Sequence, residues 1–238
     1  LLAGQLHWNH IWHWMDSRVY DPNDAAHYDA IIAGKRAFLN PGFFWIRAIV
    51  FMGTFLFAAS WFVKQSRKMD ALTGTELVKQ HLLTYRRSAL FLVLFAVFSS
   101  VLSWDWLMSI DTHWFSTLYG WYVFAGMWIS AMITAVVLVL YLKSKGYLPQ
   151  VNNSHIHDMG KWVFGVSFLW TYLYFSQFML YWYANIPEEV TYFKTRIDHH
   201  AGLMWGMFFI NFAVPMVLLM SRDAKRNPRF LIGVGTVI

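Results

Sequence analysis

Residues 121–142 read WYVFAGMWISAMITAVVLVLYL, an apolar and aromatic run without a single Asp, Glu, Lys, Arg or His. A bilayer core is roughly 30 Å thick, and a helix crosses it with about 20 mainly apolar residues. The run meets that requirement. Four further stretches resemble it: Phe43–Val63, Ser88–Leu102, Trp162–Tyr183 and Ala201–Met220. The shortest, Ser88–Leu102, reaches spanning length only from near Leu82, with Arg86 and Arg87 snorkelling to the headgroups. The chain is therefore expected to be all-α, a polytopic transmembrane helix bundle with at least five complete spans.

Loop charges orient the spans, because Lys and Arg near helix ends stay on the cytoplasmic side. Lys64, Arg67, Lys68, Lys79, Arg86 and Arg87 follow the first span; Lys143, Lys145 and Lys161 follow the third; Arg222, Lys225, Arg226 and Arg229 follow the fifth. Between them, residues 103–117 carry Asp105, Asp111 and His113 without Lys or Arg, and residues 187–200 mix Glu188 and Glu189 with Lys194 and Arg196. The alternation closes without contradiction: 16–41 outside, Val63 inside, Asp105 outside, Leu142 inside, Pro187 outside, Arg222 inside.

Composition agrees. With 58% hydrophobic, 20% aromatic and 13% charged residues among 238, the chain is too apolar for an ordinary soluble domain. A net charge of +6 would suggest nucleic acid in a soluble protein, but positive-inside retention accounts for it here. There is no cysteine, which excludes disulfides and any iron–sulfur cluster or haem c held by this chain's own thiols.

Four regions follow. Residues 1–16 read as the outer end of a helix that starts upstream, and 17–40 as an extracytoplasmic loop. Residues 41–221 form the five-helix membrane bundle, and 222–238 a cytoplasmic loop with the start of a further span. In the outer loop, Asp21-Pro22-Asn23-Asp24 predicts a turn and helix cap followed by a short amphipathic helix through Phe38, resting on the outer surface or on a partner.

The polar residues inside the spans are mild: Ser99, Ser100, Ser130, Thr134, Tyr172, Tyr174, Ser176, Gln177 and Asn211. At such depths they are expected to bond a neighbouring helix or their own backbone. Pro215 predicts a kink in the fifth helix that frees a carbonyl near Asn211.

Titratable groups gather instead at the outer rim. Residues 104–116 read WDWLMSIDTHWFS; Ile186-Pro187-Glu188-Glu189 follows the fourth span, and Asp198-His199-His200 precedes the fifth. Oxidising a quinol needs an apolar slot, hydrogen-bond acceptors for two hydroxyls and a route for two protons. His, Asp or Glu beside Trp and Tyr supply them. The competing reading, which composition alone favours, is an ordinary aromatic belt with solvated carboxylates. His7, His10 and His13, at three-residue spacing, read as interfacial histidines beside Trp rather than as ligands. No pair of histidines suits a haem b, and no metal site is expected. His155, His157 and Asp158 read as solvated, beside a helix cap at Asn153 or Ser154, with proton uptake as the alternative.

Two long motifs carry a family resemblance: SWDWLMSIDTHWFSTLYGWYVFAG, residues 103–126, and FSQFMLYWYANIPEEVTYF, residues 175–193. They resemble the large integral subunits of bacterial alternative complex III, in the polysulfide-reductase and nitrite-reductase membrane-anchor family, and within it the ActF type, paralogous to the ActC type. The likeness spans about Phe43 to Met220. It implies a subunit of a quinol:cytochrome c oxidoreductase in the bacterial cytoplasmic (inner) membrane, with menaquinone as the cofactor and no group bound covalently to this chain. Haem c and iron–sulfur clusters are implied in partners: an ActC-like subunit, an iron–sulfur subunit, multihaem and monohaem cytochromes c, and a terminal oxidase; nucleic acid is not. Asp105, Asp111 and His113 are then candidates for quinol or proton transfer. Trp114, Gln177, Tyr181, Glu188, Glu189, His199 and His200 are candidates for a quinone pocket or proton exit. The family assigns quinol oxidation chiefly to the ActC type, which leaves two alternatives here: a purely structural anchor, or a proton-translocating subunit with Tyr172, Tyr174, Ser176 and Gln177 in its relay.

Overall fold

The computed structural model describes residues 11–237, which are predominantly helical and, among those residues, contain no strand. Contacts divide the chain into two compact units, Leu1–Phe115 and Ser116–Ile238.

The first unit holds a short helix α1 (Ala30–Gly34) and two long ones, α2 (Pro41–Met69) and α3 (Gly74–Trp106). Asn40 starts α2 by accepting from the Phe43 amide, with Pro41 at the first helical position where no N–H is required. The α2–α3 connection turns at Gly74, whose φ of +60° suits a residue without a side chain. A ladder of rings then zips the helices: Phe51 stacks on Phe98 at 4.3 Å, Phe55 meets Phe91, Phe95 and Phe98, and Phe62 meets Phe91. Far from being short, the second span belongs to a helix of 33 residues. At about 1.5 Å per residue it is longer than a bilayer core is thick. Arg87 sits with its guanidinium 5.0 Å from the Trp61 ring, the cation–aromatic contact of a snorkelling interfacial side chain.

The outer loop packs down within this unit. Trp14, Val19, Ile32, Leu39 and Phe44 form its fully or nearly fully buried centre. The backbone at His13–Met15 and Ser17–Tyr20 forms 3-10 turns, and Tyr20 donates to the Trp14 and Leu39 carbonyls. Asp21 makes the expected turn by accepting from the Asn23 amide, but the helix begins later, capped by Asp29, and lasts five residues.

The second unit is built on α4 (Tyr119–Ser144), α5 (Asn153–Ala184) and α6 (Pro187–Phe208). A π-helical turn at Phe209–Ala213 joins α6 to α7 (Val214–Leu218), and α8 (Arg222–Arg226) and α9 (Pro228–Val237) close the chain. One core joins Val136, Leu140, Ile156, Val163, Leu219, Leu231 and Val234. A second joins Ala125, Trp170 and Leu173, with the Trp170 indole beside Gly126 of α4. The buried ammonium of Lys225 donates to the Leu219 and Met220 carbonyls at 2.8 and 3.0 Å, satisfying groups left open where α7 ends. Asn152, rather than Asn153 or Ser154, caps α5, in a capping box whose return bond goes to the ring of His155.

Residues 187–200, expected as a loop, are helical. Pro187 occupies the first position and Glu188 and Glu189 the first turn, where their charge complements the helix dipole. The chain bends at His200 (φ −136°, ψ 30°), next to the expected start of the fifth span. The irregularity expected from Pro215 takes the form of the π turn that precedes it, and Asn211 donates its side-chain amide to the Met207 carbonyl.

Among the described residues, five helical runs are long and apolar enough to cross a membrane: Pro41–Met69, Gly74–Ile110, Tyr119–Ser144, Asn153–Ala184 and Pro187–Leu218. Only 11 to 39% of their apolar windows is buried inside the protein, so Phe57, Leu90 and Leu180 face outward. In water such surface would be a severe liability; in lipid it is the solvated face. The chain is a multi-pass membrane protein.

Candidate functional site

At the end of the first unit where the outer loop packs, Asp105 is buried to 1% exposure and held by Arg47 in a two-pronged ion pair, Nε to Oδ2 at 2.8 Å and Nη2 to Oδ1 at 2.7 Å. The guanidinium also donates to the Phe38 carbonyl and lies 4.0 and 4.1 Å from the Phe38 and Phe43 ring centres. Asp105 thus belongs to the packing between α2 and α3. Arg47 was legible as a lone cation in an otherwise apolar span, a position that calls for an acidic partner.

His113 and Asp111 take different places. His113 projects from the 107–115 turn and pairs with Asp29 at 2.7 Å, pinning the outer loop to the turn. Lys35 reinforces the contact by donating to the Thr112 carbonyl beside the Phe115 ring. Burial works to raise the Asp29 carboxyl, but hydrogen bonds from the Ile32 amide, His113 and the Ile31 amide outweigh it and hold it below the ordinary aspartate range. Burial lowers Lys35, opposed by Asp111 and Asp29. Asp111 is exposed and, with buried Trp114, lines a cavity of about 260 Å³ whose other walls include Phe38, Leu39, Trp104 and Met108.

The second unit encloses a larger cavity, of about 510 Å³. On α5, Tyr174 and Gln177 face it. Tyr119 and Tyr122 come from the start of α4, and α6 adds Tyr192, Phe193, Thr195, Arg196, His200, Leu203, Met204 and Met207. These α6 positions recur at three- and four-residue intervals, the spacing that keeps side chains on one helix face. Phe193, buried against Tyr174, Phe178 and Tyr181, fixes α6 to α5. Trp170 stacks on Tyr174 with ring planes 3° apart, so the tyrosine wall is supported from behind. Arg196 lies over the Tyr192 ring and gives one N–H to the Tyr192 carbonyl, and Tyr192 bonds the Tyr119 hydroxyl. Gln177 is 2% exposed, and its side-chain Nε2 has no hydrogen-bond partner. A buried amide nitrogen without an acceptor costs about 1–3 kcal/mol, and the residue that carries it lines the cavity.

Of the sequence candidates, Gln177 and His200 meet here. Tyr181 is buried nearby, its hydroxyl paired with Ser116. Glu188 and His199 are exposed on α6 and, like Glu189, do not line the cavity. The suggested relay splits: Tyr174 and Gln177 face the cavity, while Tyr172 is 61% exposed on the outer side of α5. Ser99, Ser100, Ser130 and Thr134 bond backbone carbonyls three or four residues back in their own helices. His155 is exposed and His157 partly buried. His7 and His10 lie outside the described residues. Among the described residues no three His, Asp or Glu side chains converge as a metal site. Sequence reasoning treated Arg196 only as a loop charge and did not use Tyr119, Tyr122 or Tyr192; reading 187–200 as helix would have aligned Tyr192, Arg196 and His200 on one face.

The chain matches no protein-family model and no curated protein sequence.

Proposed function

We propose that this protein is an integral subunit of a bacterial respiratory quinol:cytochrome c oxidoreductase of the alternative complex III type, seated in the cytoplasmic membrane. One observation carries the reading: an aromatic-walled cavity within a membrane helix unit holds a buried amide, Gln177, whose nitrogen lacks an acceptor. A menaquinone head group fits that donor set, with its ring against Tyr122 and Tyr174 and its oxygens toward Gln177 and Arg196. Menaquinol supplies two electrons and two protons when oxidised. The side chains here orient the ring, exclude water and offer hydrogen bonds. Without cysteine, electron carriers such as iron–sulfur clusters and haem c fall to partner subunits, beside an ActC-like paralogue.

Purification through a tag on this chain tests the reading. Haem c and iron–sulfur polypeptides should co-purify and catalyse menaquinol-dependent cytochrome c reduction. A chain recovered with neither the haem spectrum nor that activity refutes it.

A second reading, a structural anchor for partner subunits, is favoured by the ion pair that occupies both Asp105 oxygens. It predicts that Asp111→Asn and His113→Ala change the yield of the complex and leave turnover per complex constant.

A further inference from the structure

Cations crowd the end of the second unit where α5 begins and the fifth spanning run stops. A short link after α7 leads into α8, which packs on the first turns of α5 so closely that a Cβ at Gly160 would stand 3.1 Å from that of Lys225. Lys225 turns its ammonium inward, to the Leu219 and Met220 carbonyls, and so anchors α8 in place. Arg222 and Arg226 sit one turn apart on the helix thus anchored, and the fields of both, with those of Lys161 and Lys225, reach the His157 ring on α5. Two carboxylates stand nearby: Asp158, whose Oδ1 holds Lys161 at 2.7 Å, and Asp223, in the first turn of α8. Neither takes up the arginines, since among the described residues the side chains of Arg222 and Arg226 make no ion pair and no hydrogen bond. With Arg229 the region holds five Lys or Arg against these two acids.

An unpaired guanidinium offers a planar fork of donors that matches the oxygens of a phosphate. Depth decides where such a phosphate comes from. The arginines follow a run long and apolar enough to cross a membrane, and Val217 and Met220, 72 and 66% exposed, carry its lipid-facing surface up to α8. On α5, Trp162 follows Lys161 and is 54% exposed, an indole of the kind that settles at head-group level. We propose that Arg222 and Arg226, with Lys161 adding to their field, form a binding site for the head-group phosphate of an anionic phospholipid. A choline head group brings its own cation into a region already rich in positive charge, whereas a glycerol head group brings only the negative one, so the site selects phosphatidylglycerol over phosphatidylcholine. The assignment does not depend on the quinone reading.

The test equilibrates the full chain in detergent with equal amounts of phosphatidylglycerol and phosphatidylcholine of the same acyl chains and counts the retained lipids by native mass spectrometry. The parent should favour phosphatidylglycerol, and each of Arg222→Gln and Arg226→Gln should lower that preference about fivefold, the change that corresponds to roughly 1 kcal/mol per cation at a lipid surface. Retention of phosphatidylcholine should not change. Arg222 is exposed, so its single variant keeps the test open even if the partly buried Arg226 tolerates no replacement. Arg67→Gln with Lys68→Gln, two exposed cations at the end of α2, should leave the preference as it was. Equal retention of the two lipids by the parent overturns the proposal, and so does an equal loss in the Arg67 and Lys68 variant, which would mean diffuse attraction rather than a site. A melting temperature raised by millimolar inorganic phosphate but not by phosphatidylglycerol would assign the arginines to a free anion and overturn the lipid. A double Arg222→Gln and Arg226→Gln variant that keeps the lipid preference and loses co-purifying polypeptides would assign them to a partner subunit, with the same consequence.

Discussion

Replacing Arg47 by Met would leave the Asp105 carboxylate at 1% exposure without either of its guanidinium bonds, at 2.7 and 2.8 Å. Breaking a buried pair from one side costs about 3–5 kcal/mol, because the remaining charge stays desolvated and uncompensated. The Met side chain still fills much of the space between Phe38 and Phe43, so the electrostatic loss dominates. Removing both charges is different. Arg47→Met with Asp105→Leu leaves no buried charge, and what is lost is the bond to the Phe38 carbonyl and the cation–aromatic contacts, together about 1–2 kcal/mol. The double variant is thus expected to be more stable than Arg47→Met alone, by about 1–4 kcal/mol, and adding Asp105→Leu completes the double-mutant cycle that measures the coupling. Equilibrium unfolding in mixed micelles, followed by tryptophan fluorescence, is a suitable assay. A thermal scan should show Arg47→Met melting lower by about 6–20 °C. If Arg47→Met costs under about 1 kcal/mol, or the double variant is less stable than the single, the ion pair does not hold α2 against α3 and Asp105 returns to the list of free acids.

Two further perturbations probe other links. A side chain at Gly160 would put its Cβ 3.1 Å from Lys225 Cβ and 3.2 Å from the Lys225 carbonyl, so Gly160→Leu should destabilise the second unit by about 1–3 kcal/mol in the same unfolding assay. Gly165→Ala, with nothing within 4 Å, should stay within about 0.5 kcal/mol, and equal effects from the two would refute the packing of α8 on α5. Asp29 has its carboxyl depressed in the folded state, so the stability it lends is present above its unfolded value, about 3.9, and is lost as pH falls through the lower folded one. The protection of the Ala30–Gly34 amides, relative to their intrinsic exchange rates, should therefore fall below about pH 4. Asp29→Asn, which can still cap α1 but does not titrate, should flatten that acid limb; an unchanged pH profile in the variant would assign the loosening to another group.

Hydropathy made the spans legible because lipid rewards every apolar side chain on a helix alike, and the run at 121–142 needed no tertiary information to be read. Boundaries were less legible. The apolar part of α3 reads as short, but helix propensity and the ring ladder with α2 carry the helix back through charged residues to Gly74. The 187–200 segment reads as a loop by charge, yet Pro187, the two glutamates of its first turn and the burial of Phe193 make it helical. That one difference decided how much of the site could be seen. As a loop, its Arg196 is an isolated cation; as a helix, it shares a face with Tyr192, His200 and Leu203. Gln177 entered through the motif resemblance and His200 through its place among the titratable groups of the rim, whereas the Arg47–Asp105 and Asp29–His113 pairs join residues 58 and 84 positions apart, which no local pattern connects.

The two units show two fates of buried polarity. Asp105 looked like a functional acid because it stands among tryptophans at a membrane face, and packing has used both its oxygens, so its charge now stabilises the meeting of two helices. Gln177 looked like a mild amide of the kind that bonds its own helix. Instead its nitrogen is desolvated and unmatched beside open volume, while Ser167 and Thr171, earlier on the same helix, both bond backbone carbonyls. An amide nitrogen desolvated without an acceptor costs about 1–3 kcal/mol, which sets Gln177 apart from those two hydroxyls. That asymmetry, rather than the density of titratable residues at the rim, places the search for a ligand among Tyr122, Tyr174, Gln177 and Arg196.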